Sequence, residues 1–115
     1  MNNLYVYIFS DEKYPNESVI GLTSSLKELY SQLNAGGRSW KAVYRYDVYE
    51  KHAINDFNYL FRLMGKVNKN KYPENCFGVD FPIDTTHQVF EKVAGASHTL
   101  IYCLDDNGEP MLIGA

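Results

Sequence analysis

The 115-residue sequence predicts an α+β fold, a small mixed or antiparallel sheet with about three helices packed on it. Both ends of the chain have the pattern of a β-hairpin. Between them, segments with helical spacing of apolar residues alternate with short runs rich in Val, Ile, Tyr and Phe. A hydrophobic content of 45% suits one compact core, and the length is too short for two ordinary domains. We therefore expect residues 1–115 to form a single domain.

The first hairpin is predicted from residues 4–23, LYVYIFSDEKYPNESVIGLT. Residues 4–9 and 18–22 are rich in β-branched and aromatic side chains, and the Asp, Pro and Asn between them favour a turn. A helix over residues 25–33 should follow, because Ser25 and Glu28 form a capping box. Its apolar residues at helical spacing are Leu26, Leu29, Tyr30 and Leu33, and the glycines beyond its end are Gly36 and Gly37.

A third strand is predicted over residues 40–49, where the side chains alternate strictly between two faces. One face would carry Trp40, Ala42, Tyr44, Tyr46 and Val48, and the other, more polar face would carry Lys41, Val43, Arg45, Asp47 and Tyr49. Residues 52–66 predict a second amphipathic helix that ends near Gly65. Its apolar positions are Ile54, Phe57, Leu60, Phe61 and Met64.

The remaining elements are shorter. A polar, lysine-rich loop over residues 66–76 leads into a short strand over residues 76–80. Residues 84–95 predict a third helix, with Asp84 as its N-cap and Gly95 as its end. Residues 98–114 predict the closing hairpin, because an Asp-Asn-Gly turn separates two apolar runs.

The net charge of -3 is unevenly distributed along the chain. Residues 27–71 hold nine Lys and Arg against four acids, whereas residues 72–115 hold one Lys against seven acids. A basic middle segment could bind a polyanion, although a mixed, solvated surface also explains the pattern. The candidate nucleic-acid-binding residues are Arg38, Lys41, Arg62, Lys66, Lys69 and Lys71, and we expect the acidic tail to lie elsewhere.

The composition disfavours several kinds of site. Cys76 and Cys103 are far apart in sequence, so they form neither a zinc knuckle nor a Cys-x-x-Cys pair, and we expect two buried thiols. His52, His87 and His98 fall on different elements and are expected to be structural or surface residues. No apolar run approaches the ~18 residues of a membrane span, and the first residues lack the features of a secretory signal. The sequence therefore predicts a cytoplasmic protein without a membrane partner.

The first hairpin carries a resemblance to a known family. The tripeptide YVY at residues 5–7 and the pentapeptide VIGLT at residues 19–23 resemble the two-part signature of GIY-YIG endonucleases, especially their short phage and bacterial branch. In that branch the second part often reads Lys-Ile-Gly-x-Thr. The segments AVYRYDV, INDFNYLFRLM and ENCFGVD then follow in the order of the family's strand, helix and strand. The resemblance covers residues 4–95 and leaves residues 96–115 as a C-terminal hairpin extension.

The resemblance implies a hydrolytic site built from two tyrosines of the hairpin, an arginine of the first helix, a helix His or Tyr, and a glutamate that binds a divalent cation. Tyr7 matches the first tyrosine. The second tyrosine falls on Val19, which has no hydroxyl. The arginine falls on Leu29, which cannot stabilise an anionic transition state.

The last two positions of the family site are also altered. The helix His has no counterpart, and Tyr59 is the candidate there that could act. The metal ligand falls on Asn75, or on Glu74 after a one-residue shift. An active site would therefore use Tyr7 and Tyr59 as catalytic residues and Glu74 as the ligand of Mg²⁺ or Mn²⁺; without activity no cofactor is expected. So many departures favour a chain that keeps the fold and has lost hydrolysis.

Three functions follow as hypotheses. The first is a catalytically degenerate nuclease-like protein that binds nucleic acid or a protein partner, such as a phage or mobile-element inhibitor of a host enzyme in a bacterial or phage-infected cell. The second is an active metal-dependent DNA endonuclease. The third is a protein-interaction module, a homodimer that uses the exposed edge of the last hairpin, PMLIG at residues 110–114.

Overall fold

A seven-stranded antiparallel sheet forms the centre of the computed structural model, which describes residues 5–47, 67–68, 72–73, 76–94 and 100–114. The elements in chain order are β1 (Tyr5–Ser10), β2 (Ser18–Thr23), α1 (Leu26–Leu33), β3 (Lys41–Asp47), β4 (Val67–Asn68), β5 (Cys76–Val79), α2 (Ile83–Ala94), β6 (Leu100–Leu104) and β7 (Pro110–Gly114). Their order in the sheet is β4-β5-β2-β1-β3-β6-β7. The strand β1 is thus central, and β7 is the outermost strand on one side.

The predicted α+β class is confirmed, and so are the hairpins at the two ends of the chain. The strands β1 and β2 pair antiparallel, as do β6 and β7. The described residues contain two helices instead of about three, and the helix expected over residues 52–66 lies outside them. The loop expected over residues 66–76 contributes the two-residue strand β4.

The sheet buries both of its faces, because successive side chains of a strand point to opposite sides. On one side Val6 and Ile8 belong to a buried cluster that includes Phe90 of α2. On the other side Tyr7 and Phe9 belong to a second buried cluster, which contains the apolar side chains of α1. The two helices therefore cover opposite faces of the sheet.

A β-bulge interrupts the alternation expected in the third strand. Tyr44 pairs with Ile8 and Ala42 pairs with Phe9, so Val43 has no partner on β1. An extra residue on one strand shifts the following side chains to the opposite face. The structure therefore corrects the prediction of one continuous face, because Ala42 lies in the cluster under α1 and Tyr44 packs against the cluster under α2.

The helix α1 begins where the capping pattern predicts. Ser25 is the N-cap, and its hydroxyl accepts a hydrogen bond from the Glu28 backbone N–H at 3.4 Å. At the other end, the Asn34 side chain accepts from the Trp40 N–H at 2.8 Å and donates to the Trp40 carbonyl at 3.1 Å. These contacts tie the end of α1 to the start of β3.

The helix α2 begins one residue earlier than the sequence pattern suggests. It starts at Ile83, and Asp84 lies in its first turn, so the prediction of Asp84 as N-cap is wrong. A carboxylate in this position still interacts favourably with the positive end of the helix dipole. A buried hydrogen bond of 2.9 Å between the Ser18 and Thr86 hydroxyls attaches the first turns of α2 to β2.

Candidate functional site

The hairpin residues that carry the family resemblance are packed into the core. Tyr7 lies in the middle of β1 with 6% of its surface exposed, and Val19 is fully buried on β2. Leu29 is 4% exposed and belongs to the same cluster as both of them. Tyr59 and Glu74 lie outside the described residues, so of the three conditional site residues the structure describes Tyr7.

The position at which the family would supply an arginine is filled by tight apolar packing. Gly21 lies opposite Tyr7 in the β1–β2 ladder. A Cβ added to Gly21 would lie 2.9 Å from Leu29 Cδ2 and 2.9 Å from Cys76 Sγ. The absence of a side chain at Gly21 thus allows α1 to approach β2, and Leu29 occupies the space against the hairpin.

A cationic side chain that the family resemblance does not include lies beside Tyr7. Arg45 on β3 is the cross-strand neighbour of Tyr7 and donates a hydrogen bond from Nε to Asp47 Oδ1 at 3.1 Å. Its guanidinium carbon lies 4.6 Å from the centre of the Tyr5 ring and 4.3 Å from that of Tyr102. Cation–π contacts and the carboxylate therefore fix the guanidinium group on this face of the sheet.

Burial of Tyr7 favours the protonated form of its hydroxyl. Burial raises the pKa of Tyr7, and the nearby positive charge and hydrogen bond of Arg45 oppose the increase without cancelling it. Burial also raises the pKa of Asp47, again against the influence of Arg45. A phenol with a raised pKa can donate a hydrogen bond at neutral pH, but it does not act as a base that activates water.

Arg38, a candidate nucleic-acid-binding residue, has several partners within the protein. Its Nε lies 3.3 Å from Asp11 Oδ2, and its guanidinium carbon lies 3.9 Å from the Tyr14 ring centre and 4.6 Å from that of Trp40. Its Nη2 is 4.0 Å from Glu17 Oε2, and no atom of the described residues accepts a hydrogen bond from it. Most of the guanidinium surface is thus already in contact with the protein.

Asp11 is itself an organising residue of this corner. It is 3% exposed and accepts hydrogen bonds from the backbone N–H groups of Lys13 and Ser39 at 3.0 and 3.2 Å. Burial alone would raise the pKa of Asp11. The two backbone donors together with Arg38 outweigh burial and hold the pKa of this carboxyl below its usual value.

The acidic tail meets the basic segment at Lys41. The Lys41 ammonium forms an ion pair with Asp106, which lies in the turn between β6 and β7. The expectation that the acidic tail lies elsewhere is therefore wrong for this turn, because β6 pairs with β3 and brings the turn beside the start of that strand. The other candidate basic residues lie outside the described residues: Arg62, Lys66, Lys69 and Lys71.

A hydrogen-bonded histidine lies on the opposite face of the sheet. The Tyr46 hydroxyl bonds to His87 Nδ1, and His87 Nε2 lies 2.9 Å from Glu91 Oε1. The Tyr44 ring stacks on the imidazole with ring centres 3.9 Å apart. Both the stacking and the buried hydroxyl agree with the expectation that His87 is structural.

The possible metal ligands of the described residues do not gather into one cluster. Residues 5–47, 67–68, 72–73, 76–94 and 100–114 contain no group of three or more His, Cys, Asp or Glu side chains that could hold an ion. In the same part of the chain, neither helix is long and apolar enough to cross a membrane. Cys76 is buried as expected, and burial raises its pKa to about 12. Cys103 is only partly buried, so the prediction of two buried thiols is wrong for this residue.

Of the large apolar residues that are exposed in the described part of the chain, most lie on the edge strand β7. Met111 is 64% exposed, Leu112 54% and Ile113 48%, in a strand that pairs with β6 on its inner side. No other described strand pairs with its outer side. This agrees with the expectation of an exposed edge in the last hairpin.

Sequence patterns alone did not identify Arg45 or His87 as members of clusters. Each of these side chains meets its partners across strands or between strand and helix, and such pairs are set by register and packing. The sequence did contain one signal, the short spacing of Arg45 and Asp47 on a single strand face.

Comparisons with protein-family models, with curated proteins and with solved structures found no match to this chain.

Proposed function

We propose that this protein acts by binding a partner and does not hydrolyse nucleic acid, on a GIY-YIG-like fold whose catalytic positions have become core positions. The observation that carries the proposal is the close packing of Leu29 against Gly21, within a buried cluster that also contains Cys76. A transition state of phosphodiester hydrolysis needs a cation and a polar, accessible site. An apolar contact at this point offers neither.

The charge arrangement supports the same conclusion. Within the described residues, the cation that acts on Tyr7 is its cross-strand neighbour Arg45. Asp47 offsets the charge of Arg45, and two ring contacts hold its guanidinium group in place. A guanidinium group that is already paired gains less from a phosphate than a free one, because it must first lose its existing partner. The Tyr7 hydroxyl, with its raised pKa, remains a proton donor.

The class of partner that fits these contacts is a protein. Arg38 and Lys41 are engaged by Asp11 and Asp106, which weakens the case for a polyanion at this corner. The three exposed apolar side chains of β7 form the kind of surface that proteins use for strand addition.

A cleavage assay tests the proposal. Supercoiled and single-stranded DNA incubated with the protein and Mg²⁺ or Mn²⁺ should remain intact. Cutting that disappears in both the Tyr7→Phe and the Glu74→Gln variants would establish the endonuclease alternative instead.

Fluorescence anisotropy with labelled DNA and RNA at two salt concentrations tests the partner class. We expect no binding beyond weak, salt-sensitive association. Tight binding whose salt slope flattens when Lys66, Lys69 and Lys71 are all replaced by Ala would show a nucleic-acid partner, because each neutralised phosphate contributes about 0.9 to the slope of log K against log salt.

A further inference from the structure

The turn between β6 and β7 contains the one Asn-Gly pair of the sequence, Asn107 and Gly108. Both residues are exposed, as are all residues from 105 to 110. Gly108 has a φ of 78°, which lies in the left-handed region that residues with a Cβ adopt only at a cost in free energy. The shape of the turn therefore favours glycine directly after Asn107.

Glycine after asparagine makes the asparagine side chain reactive, because no Cβ hinders the approach of the glycine nitrogen to the side-chain carbonyl. In the reaction a bond forms between the Gly108 nitrogen and Asn107 Cγ, which closes a five-membered imide ring. The bond from Cγ to the side-chain nitrogen breaks, and that nitrogen leaves as ammonia with the hydrogen from the Gly108 nitrogen. Solvent water then opens the ring at either carbonyl, which gives aspartate or isoaspartate.

Several hydrogen bonds hold the turn closed against this reaction. The Gly108 N–H donates to the Asp105 carbonyl at 3.0 Å, so the attacking nitrogen is engaged while the turn is closed. The Asp105 side chain adds two bonds, because its Oδ1 accepts from the backbone N–H groups of Asn107 and Glu109 at 2.9 and 2.8 Å. The Gly108 nitrogen can therefore attack only after the turn has opened.

The position of the turn makes such an opening accessible. Exposed backbone hydrogen bonds at the end of a hairpin open locally, at a free energy below that of global unfolding. Lys41 of β3 forms an ion pair with Asp106, but the two side chains are 50% and 96% exposed, and such a pair adds little stability. The carboxylate of Asp105 is thus the group that mainly controls how often the turn opens.

We propose that Asn107 is a site of spontaneous modification, which converts it to aspartate and isoaspartate through an imide with the Gly108 nitrogen, at a rate set by the hydrogen bonds of Asp105. Isoaspartate adds one carbon to the backbone between Asn107 Cα and the Gly108 nitrogen, so the hydrogen bonds across the turn no longer fit. Either product also adds a carboxylate to a turn that already contains Asp105, Asp106 and Glu109. The modification therefore loosens the end of the β6–β7 hairpin and does not reverse by itself.

Mass spectrometry of the folded full chain provides the first test. The protein is incubated at neutral and at mildly alkaline pH, and digested samples are analysed over time. The peptide with Asn107 should gain the mass difference between a hydroxyl and an amino group, and its isoaspartate form should elute separately. The rate should rise with hydroxide concentration, because the Gly108 nitrogen must lose its proton to attack. Asn16 is the internal control, since it is exposed and followed by Glu17, and it should change far more slowly.

Variants of Asp105 test the control of the rate by the turn. Asp105→Ala removes two hydrogen bonds and should speed the modification of Asn107 about tenfold, which corresponds to about 1.4 kcal/mol. Asp105→Asn is the matched control: it keeps an acceptor oxygen in the same place without the charge, so the rate at Asn107 should stay close to that of wild type. Fragmentation of the peptide distinguishes modification at the two positions, and circular dichroism checks that each variant is folded.

Hydrogen exchange tests the consequence for the hairpin. Backbone amides of residues 100–114 should exchange faster in the modified chain than in the fresh chain, because the bonds that close the turn are lost. Three outcomes would overturn the inference: modification of Asn107 that is no faster than that of Asn16, a rate at Asn107 that Asp105→Ala leaves unchanged, and equal exchange in the modified and fresh chains.

Discussion

Replacing Leu29 with arginine should destabilise the protein instead of restoring a nuclease site. Leu29 is 4% exposed, and its Cδ2 lies so close to Gly21 that a Cβ on that glycine would be 2.9 Å away, which leaves no room for a larger group on that side. Removing a buried leucine side chain alone costs about 2–5 kcal/mol. The arginine side chain can leave the core, in which case the stability lost with the leucine is not recovered. If it stays in the core, it buries a charge, and the loss of stability is larger. We expect a loss of about 3–5 kcal/mol, a large part of the 5–15 kcal/mol that typically stabilises a domain.

Urea unfolding measures this loss, and Trp40 is a suitable reporter because it is the single tryptophan and is buried. With a slope of roughly 1.5 kcal/mol per M, the midpoint should fall by about 2–3 M. Lys27→Arg, at an exposed position of the same helix, is the control and should stay within about 0.5 kcal/mol. A Leu29→Arg variant within about 1 kcal/mol of wild type that cuts DNA would refute the reasoning.

Two further predictions concern Gly21 and Asp11. Gly21→Ala should lower the free energy of unfolding by about 1–3 kcal/mol, because the added Cβ overpacks against α1. Gly36→Ala is the control: no atom lies within 4 Å of its added Cβ, so it should be neutral or stabilise by up to about 1 kcal/mol. Equal urea midpoints for the two variants would contradict this prediction. Because the folded-state pKa of Asp11 lies below the unfolded value of 3.8, its stabilisation is present above that value and lost as the pH falls through the folded pKa. Asp11→Asn should therefore be less stable at neutral pH and lose less stability between about pH 5 and pH 2. Parallel pH profiles for the two proteins would show that Asp11 contributes nothing.

Local sequence signals determined the elements whose formation depends on neighbouring residues. The turn-forming residues between the apolar runs predicted both hairpins, and Ser25 with Glu28 predicted the start of α1. The turn also predicted that residues 110–114 pair with the run before them, whereas strand order decided that the other side of this strand has no partner among the described strands. The expected helix over residues 52–66, and with it Tyr59, lies outside the described residues.

Tertiary structure decided how those elements meet. The bulge at Val43 moved Tyr44 to the face opposite Ala42, and alternation along the sequence gives no sign of an extra residue. Strand order brought Lys41 to Asp106, although 65 positions separate them along the chain. Such contacts depend on register and on strand order, which the linear pattern leaves free.

At the candidate site, too, the sequence predicted part of the arrangement and tertiary packing decided the rest. A resemblance to GIY-YIG nucleases could be read from the hairpin motif, and it identified Leu29 as a departure. That Leu29 fills a space against Gly21, and that Arg45 lies beside Tyr7, emerged only when three strands and a helix were packed together. Residue identity states which chemistry is possible at a position. Burial and neighbouring charges decide which chemistry occurs there, because they set the solvation and pKa of each group.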